Sequence, residues 1–217
     1  LAQNIHREYP RVLIELHDAF SAVYPVMPTY YLHGFPGSPD ELWAYEYMWD
    51  PMWDLLSGRS IALYYYNLAY RYPLYLHIDL RRDNEHALEF WWYASTCRHL
   101  GVGGKHSNVK VWEAHKQAMQ RYRRLKPFYT QGTFYGLDET IHVHTIKAQG
   151  KAVVNAFNFS DSQVTKEVTF QLREIGFSPE VEVEVEGASY RQTDSAVTMS
   201  FNLPAKGTAL IEVNTKP

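Results

Sequence analysis

Four carboxylates are candidates for acid/base chemistry: Glu15, Asp18, Asp50 and Asp79. Cleaving a glycosidic bond takes two carboxyl groups, about 5–5.5 Å apart for retention and about 6.5–9.5 Å apart for inversion. One of the two must hold a proton, and burial beside tryptophan raises a carboxyl pKa enough to keep it. Asp18 or Glu15 is the first candidate for that acid/base, and Asp50, next to Trp49, is the second. Asp79 follows His77 by two residues, a pair suited to holding hydroxyls. The competing readings are structural, with Asp18 capping the helix that follows and Asp79 paired to Arg81 or Arg82.

The segment over residues 35–59, FPGSPDELWAYEYMWDPMWDLLSGR, adds aromatic rings to these acids. It carries Trp43, Trp49 and Trp53, three of the 6 tryptophans, interleaved with Asp40, Glu41, Glu46, Asp50 and Asp54. Turn residues open it and Ser57-Gly58 close it, so it reads as a functional loop with a short helix, longer than an ordinary connection. Indole faces stack on sugar rings and carboxylates accept from hydroxyls, so Trp43, Tyr47 and Trp49 are the expected stacking residues. A packed amphipathic helix is the alternative, with Trp43, Tyr47 and Asp50 on one face and Trp49 and Trp53 on another.

A rival chemistry uses a metal. His17, Asp18, His33, His77 and Asp79 would have to converge at strand ends, and histidine and carboxylate are ordinary divalent-metal ligands. No HExxH or paired CxxC accompanies them, so neither a metal nor a cofactor is assigned. His142 and His144 share a strand face and read as surface or interdomain packing. His99, His106 and His115 read as polar helix and loop residues. There is no GxSxG nucleophile motif, and Gly101-Val102-Gly103-Gly104 follows a helix, so it is no phosphate cradle.

Composition narrows the partners. Of 217 residues, 46% are hydrophobic, enough for a substantial core, and 17 are tyrosines, whose amphipathic rings suit wet clefts as well as cores. The net charge is −3 and no basic stripe stands out, which argues against nucleic acid. Arg121, Arg123, Arg124 and Lys126 are read as offsetting a helix C-terminal dipole. Cys97 is the 1 cysteine, so no internal disulfide forms, and its apolar setting suggests a buried, inert thiol. No apolar run reaches about 18 residues, so no membrane-spanning helix is expected. The compartment stays open.

The elements that position these residues fall into two groups. Strands are predicted over 11–17, 29–33 and 74–80, each with polar residues near its C-terminal end: Glu15, His17 and Asp18; Tyr31 and His33; His77 and Asp79. Helices are predicted over 60–72, over 84–100 with Asp83 or Asn84 as cap, and over 109–125 with Asn108 as cap and Pro127 as stop. From about residue 128 the pattern changes to period two, in the runs FYTQGTFYGL, TIHVHTIKA, KAVVNAFNFS, KEVTFQL, EVEVEVEG, AVTMSFNL and TALIEVN. That is an all-β sandwich signature. The alternating acids over 180–186 face solvent and discourage edge-to-edge pairing.

Strands alternating with helices imply parallel βα units, but a (β/α)8 barrel takes about 250 residues by itself. The expected fold is therefore α/β plus all-β: the last strands and helices of a (β/α)8 barrel over 1–126, then an antiparallel β-sandwich over 127–217. Barrel strands arriving without their neighbours would expose edges, so a homo-oligomer or a barrel segment preceding Leu1 is expected.

The order of motifs carries a resemblance. A strand YPLYLHIDL, a helix ending in HLGVGG, the long VWEAHKQAMQRYRRLKPFYTQGTFYGL and a β-region containing GKAVVNAFNFSD follow one another. This resembles the end of the catalytic barrel and the C-terminal sandwich of α-galactosidase-like glycoside hydrolases, the retaining α-galactosidase and raffinose-synthase clan. The resemblance covers residues 74–217 by motif and 11–73 by architecture. It implies a carbohydrate substrate. It also implies a nucleophilic Asp at the end of the fourth barrel strand, which would precede Leu1, and an acid/base Asp after the sixth. If residues 11–17 are that sixth strand, Asp18 is its match, although the flanking residues differ from the family's Arg-x-x-Asp context. A non-catalytic carbohydrate-binding or structural module is the alternative, and a metal-dependent hydrolase using strand-end His and Asp is the second.

Overall fold

The computed structural model describes residues 4, 7–9, 69, 75–96 and 99–216. The strands expected over 11–17 and 29–33, the aromatic loop, the helix over 60–72 and Cys97 lie outside the described residues. The chain enters through β1 (Tyr75–Asp79), a 3-10 turn (Leu80–Arg82) and α1 (Leu88–Thr96). It then makes β2 (His99–Gly103) and the long α2 (Val109–Gln131). β1 and β2 run parallel in register, Tyr75 opposite His99 and Asp79 opposite Gly103, with α1 as the crossover between them. No closed barrel is present among the described residues, where the parallel sheet has 2 strands.

Eight antiparallel strands follow: β3 (Thr133–Asp138), β4 (Ile141–Ile146), β5 (Lys151–Asn158), β6 (Val164–Gln171), β7 (Val183–Glu186), β8 (Ser189–Thr193), β9 (Ala196–Leu203) and β10 (Gly207–Thr215). They form a 5-stranded sheet in the order β3-β4-β5-β10-β7 and a 3-stranded sheet in the order β6-β9-β8.

Two hydrophobic clusters explain why these elements stack. One joins Val143, Val154, Ala156, Ile211 and Val213 of the larger sheet to Phe170, Val197, Met199 and Phe201 of the smaller. The other joins Trp91, Trp92, Tyr122 and Leu125 of the helices to Val153 and Phe157 of β5. The larger sheet is thus covered on both faces. β5 shows it directly, with Ala152, Val154 and Ala156 turned one way and Val153 and Phe157 the other. A strand covered on both faces loses the polar alternation of a half-exposed one, and KAVVNAFN accordingly carries apolar residues on both sides. α1 is buried along its whole length, as a helix enclosed by other elements must be.

Several expectations need correcting. The helix expected over 84–100 stops at Thr96, and His99–Gly103 is a strand. Glycine at alternate positions, Gly101 and Gly103, leaves no side-chain period to read, and pairing with β1 decides the conformation. α2 does not stop at Pro127 but runs through it to Gln131, ending where Gly132 donates its N–H to the carbonyls of Pro127 and Phe128. Residues 128–131 are therefore helical, and strand begins only at Thr133. The basic cluster consequently lies well before the last turn of α2, which holds no basic residue. Arg124 instead pairs with Glu212 of β10, and Arg121 lies 5.7 Å over the Trp91 ring. Of the acidic run over 180–187, only Val183–Glu186 pairs, because β10 offers it partners only from Glu212 to Thr215. β8 went unforeseen, since SYRQT is a mostly exposed edge strand with no apolar face to announce it.

Candidate active site

The acid/base candidates Asp18, Glu15 and Asp50 lie outside the described residues, as do Trp43, Tyr47, Trp49, His17 and His33. His77 and Asp79 are placed by the backbone. They stand on β1 in register with Gly101 and Gly103 of β2, His77 at mid-strand and Asp79 at the C-terminal end of β1. In a parallel sheet with crossover helices, ligands gather at that C-terminal end. The sequence reading placed polar strand-end residues there, and the parallel pairing adds a second strand ending beside them.

The loop leaving β1 is held from three sides. Asp83 caps α1: its carboxylate accepts from the backbone N–H of Asn84 at 2.8 Å, Glu89 at 3.1 Å and Phe90 at 3.3 Å. The same carboxylate takes His115 Nε2 of α2 at 2.9 Å. Asn84 Oδ1 accepts from His86 N–H in the preceding turn and, at 3.5 Å, from Leu88 N–H at the start of α1, while its Nδ2 donates to the Lys206 carbonyl in the β9–β10 turn at 2.8 Å. Both alternatives for the α1 cap are thus used, one for each task. Between them and the helix, Ala87 adopts φ 53°, a left-handed backbone that a residue with a Cβ rarely takes.

His115 was read as a polar helix residue and is instead buried. The signal was present in the spacing of α2. Val111, His115, Ala118, Tyr122, Leu125 and Tyr129 recur at alternating steps of four and three, the buried face of the helix. A histidine on that stripe has to find a polar partner inside, and Asp83 is it.

His142 and His144 bear out the packing alternative. Both are buried on the face of β4 that meets the helices. His142 Nδ1 lies 3.0 Å from Ser95 Oγ of α1, and its Nε2 lies 3.0 Å from the Glu139 carbonyl. The Trp92, Phe134 and Phe157 rings surround it at centroid distances of 4.7, 5.4 and 5.2 Å. Burial lowers its pKa to about 4, against smaller opposing effects of the Glu139 carbonyl and the Asp138 charge. The ring is therefore neutral at pH 7. For Asp138 itself, burial acts to raise the pKa, but hydrogen bonds from Thr140 and the Lys166 ammonium outweigh it and the net shift is downward. His144 meets Tyr129 edge-on at 5.1 Å. Among the described residues, no group of three or more His, Cys, Asp and Glu is placed to hold a metal ion.

No protein-family model matches the chain, and no curated protein matches it. Solved structures do. An α-amylase from Anoxybacillus, described as giving insight into a new glycosyl hydrolase subclass, superimposes with a TM-score of 0.52 at 12% identity, over 100% of this chain and 55% of that one. A GH27 β-L-arabinopyranosidase from Geobacillus stearothermophilus gives 0.52 at 11% identity, over 97% of this chain and 59% of that one. A variant of that enzyme in complex with arabinose gives 0.51 at 12% identity, over 87% and 50%. The structural neighbours of the chain are therefore a GH27 glycosidase and related glycoside hydrolases, in keeping with the resemblance carried by its motifs. At such identities the likeness is one of fold. The chain spans between 50% and 59% of the length of these structures.

Proposed function

We propose that the protein is a glycoside hydrolase, and that this chain supplies the closing part of its (β/α)8 barrel up to the end of α2 at Gln131 and an antiparallel β-sandwich from Thr133 onward. The observation that carries this reading is the run β1–α1–β2–α2, a parallel strand pair with its crossover helix. Its helices pack directly on a two-sheet antiparallel unit. That is the order in which a barrel ends and a covering β-domain begins. Carbohydrate is the substrate class, as the arabinose complex of the similar arabinopyranosidase suggests.

β2 follows β1, so β1 is the penultimate strand of the proposed barrel and β2 the last. Counting back, the strand read from sequence over 29–33 takes sixth place, and the loop after it carries Asp50. Asp50 thus stands level with Asp18 and Glu15 as acid/base. Trp43, Tyr47 and Trp49 stack on the sugar, and His17, His33, His77 and Asp79 hold its hydroxyls. The partner carboxylate comes from an earlier barrel strand.

Incubating the whole protein that carries this chain with a panel of aryl α- and β-glycosides tests the reading. Release of phenol from at least one glycoside is expected. A folded whole protein that cleaves none of them and binds none of the parent sugars would sink it.

A further inference from the structure

A groove of about 690 Å³ lies between the segment over 179–183, β8 and the chain end at Lys216. β7 is the edge of the larger sheet and β8 the edge of the smaller, and the chain crosses between them through Gly187 and Ala188. Gly187 has φ +94°, and a Cβ there would come within 2.7 Å of the Leu210 carbonyl, so the crossing is fixed by glycine. The groove is lined by Glu180, Glu182, Tyr190, Gln192, Asp194 and Lys216, among others.

Two of these side chains are held in place. Tyr190 reaches from β8 to donate its hydroxyl to the Val183 carbonyl of β7 at 3.2 Å, yet stays 39% exposed. Gln192 accepts from Val183 N–H at 3.0 Å and donates to the carbonyls of Val181 and Asp194 at 2.8 and 3.0 Å. The ring and the floor are therefore set before any ligand arrives, which lowers the ordering cost of binding. The rest of the lining is charged. Lys216 pairs with Glu182 at 3.1 Å, whereas Glu180 and Asp194 make no ion pair among the described residues.

This combination selects a chemical class. A half-exposed aromatic ring offers a face to the C–H side of a sugar ring. Carboxylates beside it accept from paired hydroxyls, and the ammonium donates. The size lies within the range of about 300–1,000 Å³ usual for small-ligand pockets. Three carboxylates against one ammonium disfavour anions such as uronic acids and phosphorylated ligands.

We propose that this groove is a second carbohydrate site, binding a neutral or amino-substituted oligosaccharide independently of the barrel. The acids over 180–186 then divide their work: Glu184 and Glu186 guard the β7 edge, while Glu180 and Glu182 face the ligand.

The test is calorimetric titration of the whole protein with neutral gluco-, galacto- and xylo-oligosaccharides, an oligomer of glucosamine, and oligogalacturonate. The wild type is compared with the Glu180→Gln/Asp194→Asn double variant and with Tyr190→Phe and Tyr190→Ala. A neutral or amino oligosaccharide is expected to bind. The double variant should weaken that binding by about tenfold or more, with an unchanged melting temperature and unchanged hydrolysis of a small aryl glycoside. Tyr190→Phe keeps the ring but loses its bond to Val183, so it should bind more weakly than the wild type and more tightly than Tyr190→Ala. The double variant alters only exposed side chains and decides the matter even if Tyr190→Ala fails to fold. Binding of none of these sugars, preference for oligogalacturonate, or affinity unchanged in the double variant overturns the proposal. Loss of catalysis with groove binding intact would overturn only the catalytic reading.

Discussion

Asp83 and His115 meet at 2.9 Å with both side chains buried, and this contact ties the cap of α1 to the middle of α2. Because the Asp83 carboxylate also accepts three backbone N–H groups, its loss would orphan donors and a histidine together. Removing one partner of such a buried pair costs about 3–5 kcal/mol, well above the ~1 kcal/mol of an exposed cap. Asp83→Ala is therefore expected to lower stability by about 3 kcal/mol or more in urea titration. A loss under about 1 kcal/mol would show that the pair does not brace the helices.

His142 makes stability depend on pH with a definite sign. Its folded-state pKa is about 4, against 6.5 for a free imidazole. As pH falls, the unfolded chain takes up the proton first, which favours unfolding. The contribution is whole above pH 6.5, declines between pH 6.5 and 4, and levels off below, a total of about 3 kcal/mol. A ring-carbon NMR titration should place the His142 midpoint near 4, and denaturant midpoints should fall across the same interval. A midpoint near 6.5 would contradict the buried, neutral ring.

Pro127 sits on the exposed face inside α2. It gives the helix no N–H at that position and crowds the preceding turn. Little burial is lost by replacing it, so Pro127→Ala should stabilise the protein by about 1–3 kcal/mol. A destabilised variant would mean that the ring fixes the path from α2 into β3.

Gly176 closes the 3-10 turn after β6 at φ +83°, and a Cβ there would come within 2.3 Å of the Tyr135 hydroxyl. Gly176→Ala combines a strained backbone with a clash across the sheets. It should cost about 1–3 kcal/mol, read as a fall in melting temperature. An unchanged melting temperature would place Tyr135 elsewhere.

Most of the β-region was legible because strands such as β7 and β9 alternate buried and more exposed residues. AVTMSFNL was read to its exact ends as Ala196–Leu203, and Val164–Gln171 emerged from the KEVTFQL run. β2 was not legible, since Gly101 and Gly103 carry no pattern and only β1 makes them a strand. β8 failed for the opposite reason, being nearly all polar. Pro127 misled because a helix can absorb a proline where its neighbours hold the turn, here with Leu125 and Tyr129 buried on either side. Of the candidate site, the strand that carries His77 and Asp79 was foreseen. The Asp83–His115 contact was not, since it joins residues 32 apart through tertiary packing alone.

The central claim is that carboxylates at the end of the proposed barrel move a proton to or from a glycosidic oxygen. We would first measure the hydrolysis rate of the best aryl glycoside by the whole protein and by Asp18→Asn, Glu15→Gln and Asp50→Asn, each checked for unchanged melting temperature. At least one variant should lose about 10²–10⁴-fold in rate, the contribution of a general acid/base. Three folded variants with wild-type rates would contradict the assignment and move the chemistry off this chain.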